Sequence, residues 1–184
     1  MRLLPKVAFV VIALILVGVA IVAVHRHRVK QTVVLSQLYN GVHRIPRNAP
    51  RISSSELSQL VSADFSVVTD LRYLSSDVKE SFCNVEHCEY EGVRFDMVNP
   101  GDRMSTDYIL PGVPNKRLVF AAVNQESAIV VYERGGYANF LRAMILDFKD
   151  GSAWNTTLNS HSIRNLRDLR TALAQEHYTT GNSG

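Results

Sequence analysis

Two cysteines, Cys83 and Cys88, stand five residues apart in the polar stretch Cys83-Asn84-Val85-Glu86-His87-Cys88, and the chain has no others. At this spacing they are either a local disulfide, if the compartment is oxidising, or a pair of reduced loop thiols. Asp70 and Arg72, two apart at the end of an apolar run, have the chemistry of an ion pair or a cap. Of the six histidines only His43 and His161 fall in structured context. Neither has a partner at metal-ligand spacing, so no metal site and no cofactor is expected. Asn155-Thr156-Thr157 is a glycosylation acceptor only in a host that glycosylates.

The elements that must hold these groups begin after an apolar segment. Residues 7–24 are 18 consecutive residues without a charge or an amide, within the roughly 17–25 that cross a hydrocarbon core. Arg2 and Lys6 precede them, and Arg26, Arg28 and Lys30 follow. A cleaved signal peptide has a shorter apolar stretch, about 7–15 residues, ending in small residues. Gly18-Val19-Ala20 suits cleavage poorly, so residues 1–30 are expected to be an uncleaved, single-pass membrane anchor. Basic residues at both ends leave the charge-bias rule silent on orientation. The cysteine pair favours the periplasmic or extracytoplasmic side for the rest of the chain.

The anchor also explains the charge. The chain carries a formal +3 and a pI near 9.0. Five of its 20 Lys+Arg lie in residues 1–30, which hold no acid, leaving 15 bases against 17 acids, about −2. A mildly acidic domain lacks the basic footprint of nucleic-acid binding, and that class is excluded.

Residues 31–178 have the length of one domain, followed by a short polar tail at 179–184. Asn40-Gly41 between extended pieces predicts a hairpin. Ser53 to Glu56 supplies a capped start for a helix through Leu57, Leu60 and Val61. Residues 65–71 and 93–98 are rich in β-branched residues and read as strands. A helix is expected through Leu118, Val119, Ala122 and Val123, a central strand at 128–132, an apolar helix at 138–148, and a last helix at 162–177. Strands alternating with helices predict an α/β fold, a mostly parallel central sheet flanked by helices.

Several pieces carry a further signal through their order. Val42-His43-Arg44-Ile45-Pro46 comes first, then Val68-Thr69-Asp70-Leu71-Arg72, then Gly92-Val93-Arg94-Phe95 leading to Pro100-Gly101-Asp102. Over about residues 38–150 this order resembles the cysteine-dependent protein phosphatases, in particular the compact dual-specificity group found in bacteria. The resemblance implies a signature loop, His-Cys-x-x-Gly-x-x-Arg, between a buried strand and a helix. Loop amides and the helix N-terminus there cradle a phosphate and activate the thiol, an Arg grips two oxygens, and an Asp protonates the leaving group.

The matching context here runs from Val130 to Phe140. Aligning Gly136 with the family glycine puts Tyr132 at the His, Glu133 at the Cys and Asn139 at the Arg. The loop of Glu133, Arg134, Gly135, Gly136 and Asn139 therefore keeps a frame without its nucleophile, although Arg134 could offer a charge to an anion. Cys88 and Arg94 satisfy Cys-x5-Arg, but they follow a polar segment, lead into a strand and enclose Glu89 and Glu91. Asp102 sits where the family places its general acid, and Pro-Gly-Asp is also ordinary turn sequence. Asp102, Cys88 and Arg94 are thus the remaining catalytic candidates. The resemblance implies a membrane-anchored pseudophosphatase acting as a binding or regulatory module, with a phosphorylated or anionic ligand or a membrane protein as partner. The alternative is an active phosphatase of protein, lipid or saccharide phosphates with an atypical site, and a third class is a structural scaffold.

Overall fold

The structure, a computed structural model, describes residues 44–88, 95–106, 113–136, 139–159, 162–175 and 178–179. The chain divides into two units, Met1–Gln37 and Leu38–Gly184, and the described residues belong to the second. The expected anchor at 1–30, the hairpin at Asn40-Gly41, Arg94, His43 and His161 lie outside the described residues. Among the described residues no helix is long and apolar enough to cross a membrane.

Helix α1 (Ser54–Ser62) starts as its sequence dictates. Ser53 accepts from the Glu56 amide, and the Glu56 carboxylate accepts from the Ser53 amide at 2.9 Å. These hydrogen bonds hold the exposed Glu56 carboxyl below its ordinary value. Strand β1 (Ser66–Val68) follows, then a 3₁₀ turn (Leu71–Tyr73) and helix α2 (Ser76–Glu86). Strands β2 (Lys116–Val123), β3 (Ser127–Arg134), β4 (Phe140–Asp147) and β5 (Ser152–Leu158) succeed one another, then helix α3 (Leu166–Ala174) and strand β6 (Tyr178–Thr179).

The six strands form one sheet in the order β1-β2-β3-β4-β5-β6, every neighbouring pair antiparallel. The mostly parallel α/β sheet is therefore overturned, and the reason lies in two segments. Residues 118–123 and 140–147, within the two runs expected to be helices, carry Leu, Ala and Met, good helix formers, yet they form β2 and β4. Each runs between two partner strands and is buried on both sides, so packing and ladder hydrogen bonds override local preference. A strand covered on both faces reads as a continuous apolar run, which periodicity cannot separate from a buried helix. Strand β5, Ser-Ala-Trp-Asn-Thr-Thr-Leu, carries too weak a pattern to be anticipated.

One face of the sheet packs against α1 and α3. Leu57 and Val61 of α1, with Leu169 and Ala172 of α3, meet Ile129, Val131, Leu141, Ile145 and Trp154. Arg170 ties the helices together, donating to the carbonyls of Val61 at 2.8 Å and Ala63 at 2.6 Å, a cation at a helix C-terminus. The other face carries α2, where the Phe82 ring stands edge-on to Tyr132 at 5.0 Å and to Phe95 at 5.9 Å. Near the start of β2, buried Lys116 donates to Asn115 and lies 4.0 Å from the Asp96 carboxylate, fastening residues 96–98 alongside the strand.

Gly135, just past β3, is required by a close approach. A Cβ there would stand 1.9 Å from the Ser105 carbonyl oxygen, a backbone atom that cannot turn aside. Gly135→Ala is expected to lower stability by about 2 kcal/mol, the usual penalty of overpacking a filled site, measured as a shift in the urea midpoint with unchanged slope.

Candidate functional site

Helix α2 ends in an unfavourable residue. Glu86 is its last member, where the negative end of the helix dipole opposes a carboxylate. Its side chain is nevertheless only 2% exposed. The sheet beneath supplies the compensation. Residues two apart on a strand share a face, so Tyr132 and Arg134 of β3, Arg142 of β4 and Asn155 of β5 all point up at α2. The register places Arg142 directly opposite Tyr132. Tyr132 donates to Glu86 Oε1 at 2.6 Å, and Asn155 Nδ2 donates to the same oxygen. Arg134 Nη1 lies 3.1 Å from Oε2 and Arg142 Nη1 3.1 Å from Oε1. One buried carboxylate thus receives four donors, two of them cationic. Burial and the neighbouring carboxylate push the Tyr132 phenol well above its ordinary value of 10.0, so it stays a donor.

Glu86, Arg134, Arg142 and Asn155 line a cavity of about 400 Å³. Its walls add Arg47 and Arg51, together with His87 and the apolar Ala49 and Val85. The segment bearing Arg47 and Arg51 is pinned on both sides. Towards α2, the Ile45 amide donates to Ser81 Oγ, Asn84 donates to the Ile45 carbonyl at 2.8 Å, and Arg47 Nε donates to His87 Nδ1 at 2.6 Å. Towards β5, the Ile52 amide and the Pro50 carbonyl bond the backbone of Ala153. Among the described residues that line the cavity, four are arginines and one, Glu86, is an acid. Arg142 Nε and Asn155 Oδ1, a buried donor and a buried acceptor, lack a partner, so the guanidinium is not fully locked.

The residues singled out in the sequence are arranged otherwise than the phosphatase pattern implies. Glu133 and Arg134, adjacent on β3, project to opposite faces. Glu133 pairs with Arg117 across the ladder, Nε to Oε2 at 2.7 Å, with Arg164 3.9 Å away. The amides of Gly135 and Gly136 are spent on the carbonyls of Asn115 and Thr106, at 2.7 and 2.8 Å, so they form no anion cradle. Asn139 is exposed, and the next element is strand β4, so no helix N-terminus stands behind the loop. Cys88 is joined to Cys83 in a disulfide, which leaves it no thiolate. Asp102 is exposed in a turn, its carbonyl accepting from Arg117. Asp70 both caps the 3₁₀ turn and pairs with Arg72 at 2.6 Å, which holds its carboxyl below the ordinary value. Asn155, the nominal glycosylation acceptor, has its amide nitrogen turned onto Glu86.

No family model, curated protein or solved structure matches this chain. Its chemistry rests on its own geometry. Among the described residues no group of three or more His, Cys, Asp or Glu could hold a metal. The sequence reading missed Glu86, Arg142, Arg47 and Arg51. Arg142 had a usable signal, as the lone charge inside the apolar run 140–146.

Glu86→Ala would leave two guanidiniums facing one another. Both keep some exposure, 33% for Arg134 and 22% for Arg142. A loss of about 3 kcal/mol, the low end for breaking a buried pair, is expected in urea denaturation. Tyr132 adds a signature in alkali. A phenol whose value is raised by folding contributes stability that is full below the unfolded value near 10 and falls as pH rises through the folded one. Tyr132→Phe should flatten the decline of stability above that pH; an identical decline in both proteins would assign it elsewhere.

Proposed function

We propose that this chain is a membrane-anchored binding module whose ligand is an anion carrying two or more negative charges, held in the arginine-walled cavity above Glu86. The observation that carries the reading is that, among the described residues, four arginines line a single cavity of about 400 Å³. Arginine presents planar, permanently charged forks suited to carboxylate, sulfate or phosphate oxygens. A volume of that order accepts an organic ligand as well as an inorganic oxyanion. Glu86 and its donors keep Arg134 and Arg142 in place, and Arg47 and Arg51 line the same cavity. The anchor reading of residues 1–30 puts this cavity at a bilayer.

Catalysis is not part of this reading. A cysteine phosphatase needs a thiolate in front of a helix N-terminus, and both are missing from the hairpin that joins β3 to β4. What remains of the earlier expectation is the anionic ligand, moved from the loop at 133–139 to the opposite face of the sheet.

Titration calorimetry on the full-length chain in a neutral detergent, with inorganic pyrophosphate and with acetate as probes, tests the proposal. Pyrophosphate should bind and acetate should bind far more weakly. Arg51→Gln should weaken pyrophosphate by about tenfold, the worth of one charge-assisted contact. Absence of pyrophosphate binding, or indifference to Arg51→Gln, would overturn the assignment. Turnover of an aryl phosphate that vanishes in Cys88→Ser would instead restore the phosphatase reading.

A further inference from the structure

The Cys83–Cys88 disulfide closes a loop that contains Asn84, Val85, Glu86 and His87. Three of these four residues, Val85, Glu86 and His87, line the arginine cavity. The fourth, Asn84, bonds the Ile45 carbonyl and so helps to hold the segment bearing Arg47 and Arg51. His87 closes the helix in the left-handed conformation, φ 56°, its amide donating to the Cys83 carbonyl. One wall of the cavity is therefore the disulfide loop itself.

The sulfurs can be approached from the other side. Cys83 and Cys88 both line a second cavity of about 410 Å³, with Arg44, Lys79, Glu80 and Phe95. Cys88 is 1% exposed, while Cys83 is half-buried. An incoming thiolate meets Cys83 first, beside Lys79 and beside Arg44, which is paired with Asp77 and Glu80.

We propose that the thiol–disulfide state of Cys83 and Cys88 sets the anion affinity of the arginine cavity, the oxidised form binding more tightly. The idea rests on the binding reading above. A dithiol reductant supplies the electrons. Its thiolate attacks Cys83 Sγ, the Cys83–Cys88 bond breaks, and its electron pair leaves on Cys88 Sγ, which takes a proton. The second thiol of the reductant then attacks its own sulfur in the mixed disulfide and releases Cys83, which takes the second proton. The reductant ends as its disulfide and the protein holds two thiols. Without the cross-link the left-handed cap and the last turn of α2 are free to fray. His87 then loses its fixed place and its hydrogen bond with Arg47, and that wall must be re-ordered each time an anion binds.

The experiment uses the full-length chain in neutral detergent, oxidised and after dithiothreitol, with the state confirmed by counting thiols. Pyrophosphate affinity should fall by about tenfold on reduction, the cost of re-ordering one or two side chains. The Cys83→Ser, Cys88→Ser double variant should bind like the reduced protein and ignore the reductant. Hydrogen exchange of residues 44–51 and 81–88 should rise on reduction, with the strands β2 to β5 unchanged. Equal affinity in both states, or tighter binding on reduction, would overturn the control and leave the binding reading intact. Global loss of protection on reduction would overturn it too, since the loop would then be a staple for the whole fold. If the oxidised protein binds no pyrophosphate, the binding reading fails. Exchange then still decides the mechanical coupling, which unchanged protection at 44–51 would refute.

Discussion

A carboxylate buried at the C-terminal end of a helix works against both hydration and the helix dipole. Glu86 is tolerated because three strands deliver donors to it, and those strands must be in register for that to happen. Tyr132 and Arg142 face one another across β3 and β4, and Asn155 follows on β5. The carboxylate in turn fixes where α2 ends, and the end of α2 holds the segment from Arg44 to Arg51. Removing the charge would release the arginines beneath it and the rim above it. The cavity lies where one acid draws two arginines to the same place.

Much of the local structure was legible. The capping box at Ser53 and Glu56 and the strand at 128–132 follow from residue type and spacing. The architecture was not, because β2 and β4 are written in residues that also make helices. Reading those two runs as helices turned a meander into an alternation of strands and helices, and with it an antiparallel sheet into a parallel one. Nothing within residues 116–123 reveals that both faces are covered; only the finished sheet does.

The site was hidden for a different reason. Its members come from α2, β3, β4, β5 and the segment before α1, and no local pattern links Glu86 to Asn155, 69 positions away. The loop at 133–139 drew notice because it could be aligned to a phosphate-binding loop, yet alternation along β3 splits its two charged residues between faces. Glu133 belongs to the α3 side with Arg117 and Arg164, and Arg134 to the α2 side with Glu86. The pattern was one-dimensional, and the chemistry depended on which way each side chain turned.

The margins of the sheet carry a consequence of their own. Its outermost strands are its shortest, three residues in β1 and two in β6. Short edge strands offer a passing strand little to pair with, and single bridges from Arg51 and Val98 also touch the outer sides of β5 and β2. Copies crowded close together are where that restraint would matter most.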